Sequence, residues 1–401
     1  MPRTMTLLPV AEAQARLLSL AGPVPVERAP LARAAGRWAA ADVRALRTQP
    51  AADLSAMDGY AIRHADLPGP WRVIGESAAG RAFSGAVGPG EAVRIFTGAA
   101  MPAGADAVLV QEEAERDGAA LRLAGEGPGY PGRNVRPRGL DFSTGDLLVR
   151  QGERLTPARL ALAATGGHGV LDVHRPVRVA LAATGDELVP PGSPDLSGNP
   201  DKLPESNGLM LAALLAGLPV ELVDLGILPD HEPTMRATFA NIRADLLVTT
   251  GGASVGDHDL VRPALQAAGG AIDFWRVALR PGKPMMAGRL GDAVVLSLPG
   301  NPVSAFVTAI LFVRPLVAAL AGASEVLPRA GLAILGEDLP ANGDRADYLR
   351  AARGTDGRIY AAAIQDSSML LTLARATCLI IRPPRAAAAR AGDSAEILDL
   401  G

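Results

Sequence analysis

Residues 246–259 read LLVTTGGASVGDHD. The apolar, β-branched start reads as a buried strand. Gly251 and Gly252 then break the run, because glycine alone takes positive φ without strain. A tight turn accounts for the two glycines. It does not account for Ser254, Asp257 and Asp259, which follow at once.

The same texture recurs on both sides. VRVALAAT, PVELVDLG and AVVLSLPG are further apolar strands. SNGLMLAALLAG, with a cap before it, EPTMRATFANIRA, DLVRPALQAAGG and NPVSAFVTAILFV read as the helices between them. Such alternation predicts a mostly parallel sheet covered on both faces. RVALRPGKPMMAGRLGDAVVL adds a hairpin.

Ligands of open α/β sheets bind beyond the C-terminal ends of the strands. Three strands here end in unusual loops. ATGDEL places Gly185, Asp186 and Glu187 after its strand, GGASVGDHD places Ser254 and Asp259, and LPGNPVSA places Pro299, Gly300, Asn301 and Pro302 at a helix start. GILPDHEP supplies Asp230, and LRPGKP supplies Arg280 and Lys283. Backbone N–H groups of glycine loops entering helices cradle phosphate. Carboxylates beside a phosphate repel it unless they hold Mg²⁺, which prefers oxygen ligands and bridges to phosphate oxygens. The crevice is therefore expected to take a metal–phosphate ligand. Neither the G-x-x-x-x-G-K-[ST] phosphate loop nor a dinucleotide G-x-G-x-x-G after a strand is present.

Elsewhere the texture changes. VAEAQARLLSLA and LARAAGRWAAADV read as helices. From about residue 45 to 141, WRVIG, AVRIFTG, AVLVQEE and LRLA are short strands between Gly and Pro turns. TPARLALAATGGHG returns as a helix, with Thr156 and Pro157 as its N-cap and first residue. The last 80 or so residues, with DYLRAAR, RIYAAA and LIIRPPR, read as a second β module. AFVTAILFVRPLVAALAGA is interrupted by Arg314 and Pro315 and reads as a bent, buried helix rather than a membrane span.

The 401 residues carry a net charge of −3 and only 3% aromatics. Neither a broad basic face nor a base-stacking platform follows from these numbers, so nucleic acid is not an expected partner. The single cysteine, Cys378, excludes a disulfide framework and suits a reducing cytoplasm. No apolar leader precedes Glu12, so no signal peptide is expected. In the β-rich stretch, SAMDGYAI sets Asp58 before a glycine and RIFTGAAMP exposes Thr97. GRNVRPRGLD clusters Arg133, Arg136 and Arg138 before Asp141, a group suited to an oxyanion.

SAMDGYA, RIFTGAAMPAGADAV, NVRPRGLD, TGDEL, GGASVGDHD, RPGKP and LPGNPVSA occur in that order. This series resembles the molybdopterin molybdenumtransferases, a family that includes the C-terminal part of gephyrin. The resemblance spans roughly residues 7–382. It implies an α/β multidomain chain. A linking, partly helical domain would comprise 25–44 with 144–166, and a mostly β module 45–143. An α/β domain like molybdopterin adenylyltransferase would comprise 1–24 with 167–323, and a small barrel-like β domain 324–401. It also implies a cytoplasmic homodimer with a site shared between protomers.

The implied substrates are molybdate and adenylylated molybdopterin, with AMP released, Mg²⁺ assisting, and the adenylyltransferase as the upstream enzyme. Carried over residue by residue, the catalytic set is Asp58, Thr97, Asp141, Glu187, Asp230, Asp259 and Lys283. Metal ligands are Glu187, Asp230 and Asp259. Of the substrate-binding residues, the resemblance implies Arg136, Pro299 and Pro302, and the reading of the crevice loops adds Gly185, Gly251, Gly252, Ser254, Gly300 and Asn301. Leu140 and Arg280 depart from the family's usual acid and lysine, and Glu205 stands near an expected aspartate. Arg350 and Ser367 are the candidates in the C-terminal module. The alternatives are adenylyl transfer from ATP and a non-catalytic scaffold.

Overall fold

The computed structural model describes residues 7–252 and 260–400, apart from the side chain of Phe274. At its centre is the α/β unit. Its strands are β1 (Val177–Thr184), β2 (Val220–Leu228), β3 (Leu246–Thr250), β4 (Ala271–Arg276), β5 (Pro284–Leu290) and β6 (Ala293–Leu298). They form a six-stranded sheet in the order β2-β1-β3-β6-β5-β4. The first four in that order are parallel; β5 runs antiparallel to both β6 and β4.

Residue alternation sorts the two faces. Val177, Val179, Leu181, Leu246, Val248, Leu296 and Leu298 face one core, with α1 (Val10–Leu18), α2 (Asn207–Leu215) and the helices after β6. Ala180, Ala182, Leu247 and Val295 face the other, with α3 (Glu232–Ala240) and α4 (Val261–Ala267). Because both faces are covered, the strands need no polar alternation, which is why they read as continuous apolar runs.

After β6 the chain runs through α5 (Pro302–Thr308), a π-turn at Ala309–Val313 and α6 (Arg314–Leu320). Pro315 has no N–H and its ring crowds the preceding turn, so a widened turn just before it keeps the helix continuous. The whole stretch Pro302–Leu320 is long and apolar enough to cross a membrane, with mean hydropathy 2.1 over its window. Here 83% of that window is buried inside the fold, so it is the core helix expected from the sequence.

Ahead of this unit lies a six-stranded sheet built from 59–123, with Trp71, Leu109 and Leu121 in one core and Val93, Ile95 and Val108 in another. Two short antiparallel ladders, Val26–Pro30 with Val170–His174 and Val43–Arg44 with Leu147–Val149, join it to the α/β unit around a small core with Leu155 and Val173. One expected helix is shorter than its sequence suggests. LARAAGRWAAADV is helical only over Leu31–Ala34, because Gly36 takes φ 75° and turns the chain away. Thr156 does cap Pro157–Thr165, accepting from the Arg159 amide.

The C-terminal unit is a sheet of five strands from 331–399 plus a borrowed one. Leu279–Arg280, between β4 and β5, pairs with Ala346–Arg353. A bridge between Leu335 and Ile359 brings the sheet's far edge round to the short strand Ile359–Ala361.

Candidate functional site

The chain leaves β1 toward β2 on one side and returns to β3 on the other. The strand order therefore reverses at the C-terminal ends of β1 and β3, where such sheets bind ligands. A cleft of about 630 Å³ opens at that point. Thr184 and Thr250 form its floor, Glu187 and Leu188 one wall, and Pro299, Gly300, Asn301 and Pro302 another.

Glycine is required where the loops converge. Gly251 has φ 87°, and a Cβ there would lie 2.6 Å from the Thr184 carbonyl oxygen. Gly185 has φ 144° beneath the Glu187 carboxylate. The Thr184 hydroxyl donates to the Thr250 carbonyl at 3.3 Å, tying the two strand ends together.

Asn207, the first residue of α2, donates from Nδ2 to the Gly300 carbonyl at 2.7 Å. The cap before α2 is Glu205 rather than Ser206: its carboxylate accepts from the Gly208 amide at 2.7 Å. Leu188–Val189 pairs in parallel with Leu203–Pro204, and this brings 203–206 to the cleft wall.

The C-terminal unit completes the rim with Ser368 and Leu370. Asn301 Nδ2 donates to Ser367 Oγ at 3.0 Å, and the Val303 amide donates to the Ser367 carbonyl at 3.1 Å. Arg350 lies behind this loop, 1% exposed. Its guanidinium donates to the carbonyls of Ile364 (3.4 Å) and Met369 (3.2 Å) and to the Gln365 side chain (3.2 Å). Burial pushes its pKa down, partly offset by Asp366. Arg350 thus pins the loop that carries Ser367; it is not exposed in the cleft.

The expected acids divide. Glu187 is exposed at the cleft, and its carboxylate has no hydrogen bond or ion pair among the described residues. Asp230 stands on the next loop and is locked to Asp186. The Asp230 amide donates to the Asp186 carboxylate at 3.0 Å, and the Asp186 amide donates to Asp230 Oδ2 at 3.4 Å. Lys202 Nζ donates to the Asp186 carbonyl at 2.6 Å. Ser254 and Asp259 lie outside the described residues. Among the described residues no group of three or more His, Cys, Asp and Glu is placed to hold a metal ion. Glu187, at the cleft, and the second oxygen of Asp230, on a loop that does not line it, each have the hard-oxygen chemistry that Mg²⁺ takes.

Lys283 is exposed one residue before Pro284, which lines the cleft. Arg280 points instead to the buried Asp347, pairing with both carboxylate oxygens.

Asp58, Thr97, Arg136 and Asp141 lie in or beside the β-rich module, not among the residues lining the cleft. Asp58 Oδ1 accepts from both the amide (2.7 Å) and the hydroxyl (2.8 Å) of Thr97. These two bonds, with a smaller contribution from Arg94, hold its pKa below the usual 3.8. Arg136 is exposed on a two-residue strand paired with Leu54–Ser55. The Asp141 amide donates to the Gln49 carbonyl at 3.0 Å. Of the expected residues, Glu187, Gly251, Gly252, Pro299, Gly300, Asn301 and Pro302 line the cleft, whereas Asp58, Thr97, Arg136, Asp141, Asp230 and Lys283 do not.

A switch-point cleft of this kind places the unit among the open α/β proteins, whose ligands bind beyond the C-terminal ends of the strands. Models of the MoeA N-terminal region (domains I and II), a probable molybdopterin binding domain and the MoeA C-terminal region (domain IV) match residues 8–167, 180–319 and 333–400. The Haemophilus influenzae molybdopterin molybdenumtransferase is 35% identical over 98% of both chains. A Mycobacterium tuberculosis molybdopterin molybdenumtransferase 2 is 32% identical over 92% of this chain and 94% of its own. The molybdopterin biosynthesis MoeA protein of Pyrococcus horikoshii superposes with a TM-score of 0.84 at 28% identity, covering 98% of this chain and all of its own. The chain belongs to the molybdopterin molybdenumtransferase family.

Proposed function

We propose that the protein inserts molybdate into adenylylated molybdopterin and releases AMP, giving the molybdenum cofactor. The observation that carries this reading is full-length membership of the family together with an open cleft at the strand-order reversal. Glu187, with Asp230 and Asp259, would hold Mg²⁺, which supplies charge neutralisation at the diphosphate when bound. Lys283 adds a fixed positive charge where the phosphoanhydride breaks. The Gly185 and Gly251 amides already donate to the Leu228 and Leu298 carbonyls and shape the loops, so the Gly252 amide, with Ser254, orients the phosphates, and the 299–302 loop positions the bound nucleotide. Arg136 recruits the molybdate dianion.

Asp58 stays ionised under Thr97 and, with Asp141, faces the reacting end. Because these groups do not line the cleft of their own chain, the working unit is a homodimer in which the β-rich module of one protomer meets the cleft of the other. The reaction belongs in the cytoplasm, downstream of molybdopterin adenylyltransferase.

The test is a purified assay with adenylylated molybdopterin, molybdate and Mg²⁺, reading AMP and reconstitution of a molybdenum apoenzyme. Molybdate-dependent AMP release with cofactor formation is expected. Adenylylation of molybdopterin from ATP, or tight binding with no turnover, would replace this reading with an adenylyltransferase or a scaffold.

A further inference from the structure

Asn207 plays no part in the function proposed above, yet among the described residues it is the one cleft-lining side chain with a buried polar atom left unpaired. Its Oδ1 is shielded from solvent and has no hydrogen-bond partner among the described residues. The amide cannot be turned round to relieve this. Nδ2 faces the Gly300 carbonyl at 2.7 Å, and a rotated amide would set two acceptors against each other. The Gly300 contact therefore fixes the orientation and leaves one acceptor to be satisfied. A buried acceptor without a partner costs free energy, and native proteins keep few of them.

The cleft supplies the other half of the argument. Its walls include Leu188, Leu203, Pro204 and Leu370, which suit a flat ring or a sugar face better than a phosphate. Oδ1 can accept a hydrogen bond but cannot donate one, so its partner carries an N–H or O–H.

We infer that Asn207 is a substrate-binding residue whose Oδ1 accepts a hydrogen bond from a neutral N–H or O–H of the ligand. This rests on the function proposed above. Two parts of that substrate carry such donors: the pterin ring edge, and the adenosine of the adenylyl group through its ribose hydroxyls and adenine amino group. A bond of this kind fixes how the ligand lies in the cleft and discriminates against analogues lacking the donor.

The experiment measures binding of molybdopterin and of AMP separately, by calorimetry, to the full-length protein and to Asn207→Leu, with thermal unfolding of both. Leucine keeps the size and removes the acceptor. The expected result is about tenfold weaker binding of one ligand, equivalent to about 1.4 kcal/mol, with the other little changed. The weakened ligand identifies the donor. Unchanged binding of both overturns the inference. Equal weakening of both with a lowered Tm also overturns it, because Asn207 would then act only by holding Gly300. If the wild-type protein binds neither ligand, the proposed function itself falls.

Discussion

Glu187 and Asp230 look equivalent in sequence, an acid in each of two loops after a strand, but their surroundings separate them. Asp230 spends one oxygen on the Asp186 amide, while Glu187 spends none among the described residues. Glu187→Gln should therefore leave Tm within about 1 °C, since an exposed, unpaired surface group contributes little to folding. The same variant should lower AMP release in the Mg²⁺-containing assay by one hundredfold or so, as loss of a charge-stabilising group does. Measuring both on one preparation tests the assignment; full activity would remove Glu187. At Gly251 the constraint is backbone. Gly251→Ala meets both the positive φ and the Thr184 carbonyl, and should cost at least about 2 kcal/mol by urea unfolding.

Asp58 offers a pH test at the same scale. Its folded pKa lies below its unfolded value, so its contribution to stability is full above the unfolded value near 3.8. That contribution is lost as pH falls through the lower folded value. NMR titration of its carboxyl should give a midpoint below 3.8. Thr97→Val, which removes the hydroxyl and keeps the amide, should move that midpoint up part of the way.

Among the elements, Arg350 and the 364–369 loop make the sharpest case. A guanidinium bound to carbonyls and an amide oxygen, without a carboxylate, holds one loop shape against the start of α5. Arg350→Met should destabilise the protein by about 1.5–3 kcal/mol, because the carbonyls of Ile364 and Met369 lose a charged donor. Faster hydrogen exchange at the Val303 amide, which donates to Ser367, would report loosening of the loop; unchanged protection would show that the loop holds itself.

Elements were legible where one local signal decided them. The apolar runs of β1, β3 and β6 could be nothing but buried strands, and Thr156–Pro157 marked a helix start. The helix sought over 31–43 was not, since its alanine-rich composition hides a glycine at φ 75°. The glycine and acid loops of the cleft were readable for the same reason as the strands: residue type and position suffice. Asn207 was not, because its importance comes from the approach of Gly300, 93 residues away, and no local pattern encodes that meeting. The role of Glu205 as the cap of α2 was hidden behind the better-known capping residue, Ser206.

At the scale of the whole molecule, Asp58 and Thr97 do not line the cleft, and the homodimer proposed above can be tested by complementation. Equimolar mixing and refolding of Asp58→Ala with Glu187→Gln chains would form mixed dimers in which one site has both wild-type halves. About a quarter of wild-type activity should return by random pairing. No recovery would place each complete site within a single chain.

The strand Leu279–Arg280 leaves the α/β sheet between β4 and β5, lies in the C-terminal barrel, and clasps Asp347 there. Melting the barrel must therefore strip a segment from the middle of the central unit, and melting the centre must open the barrel. Their thermal transitions are consequently linked: calorimetry should record these two parts as a single endotherm, and heat alone should not populate a form in which the cleft survives without its C-terminal rim.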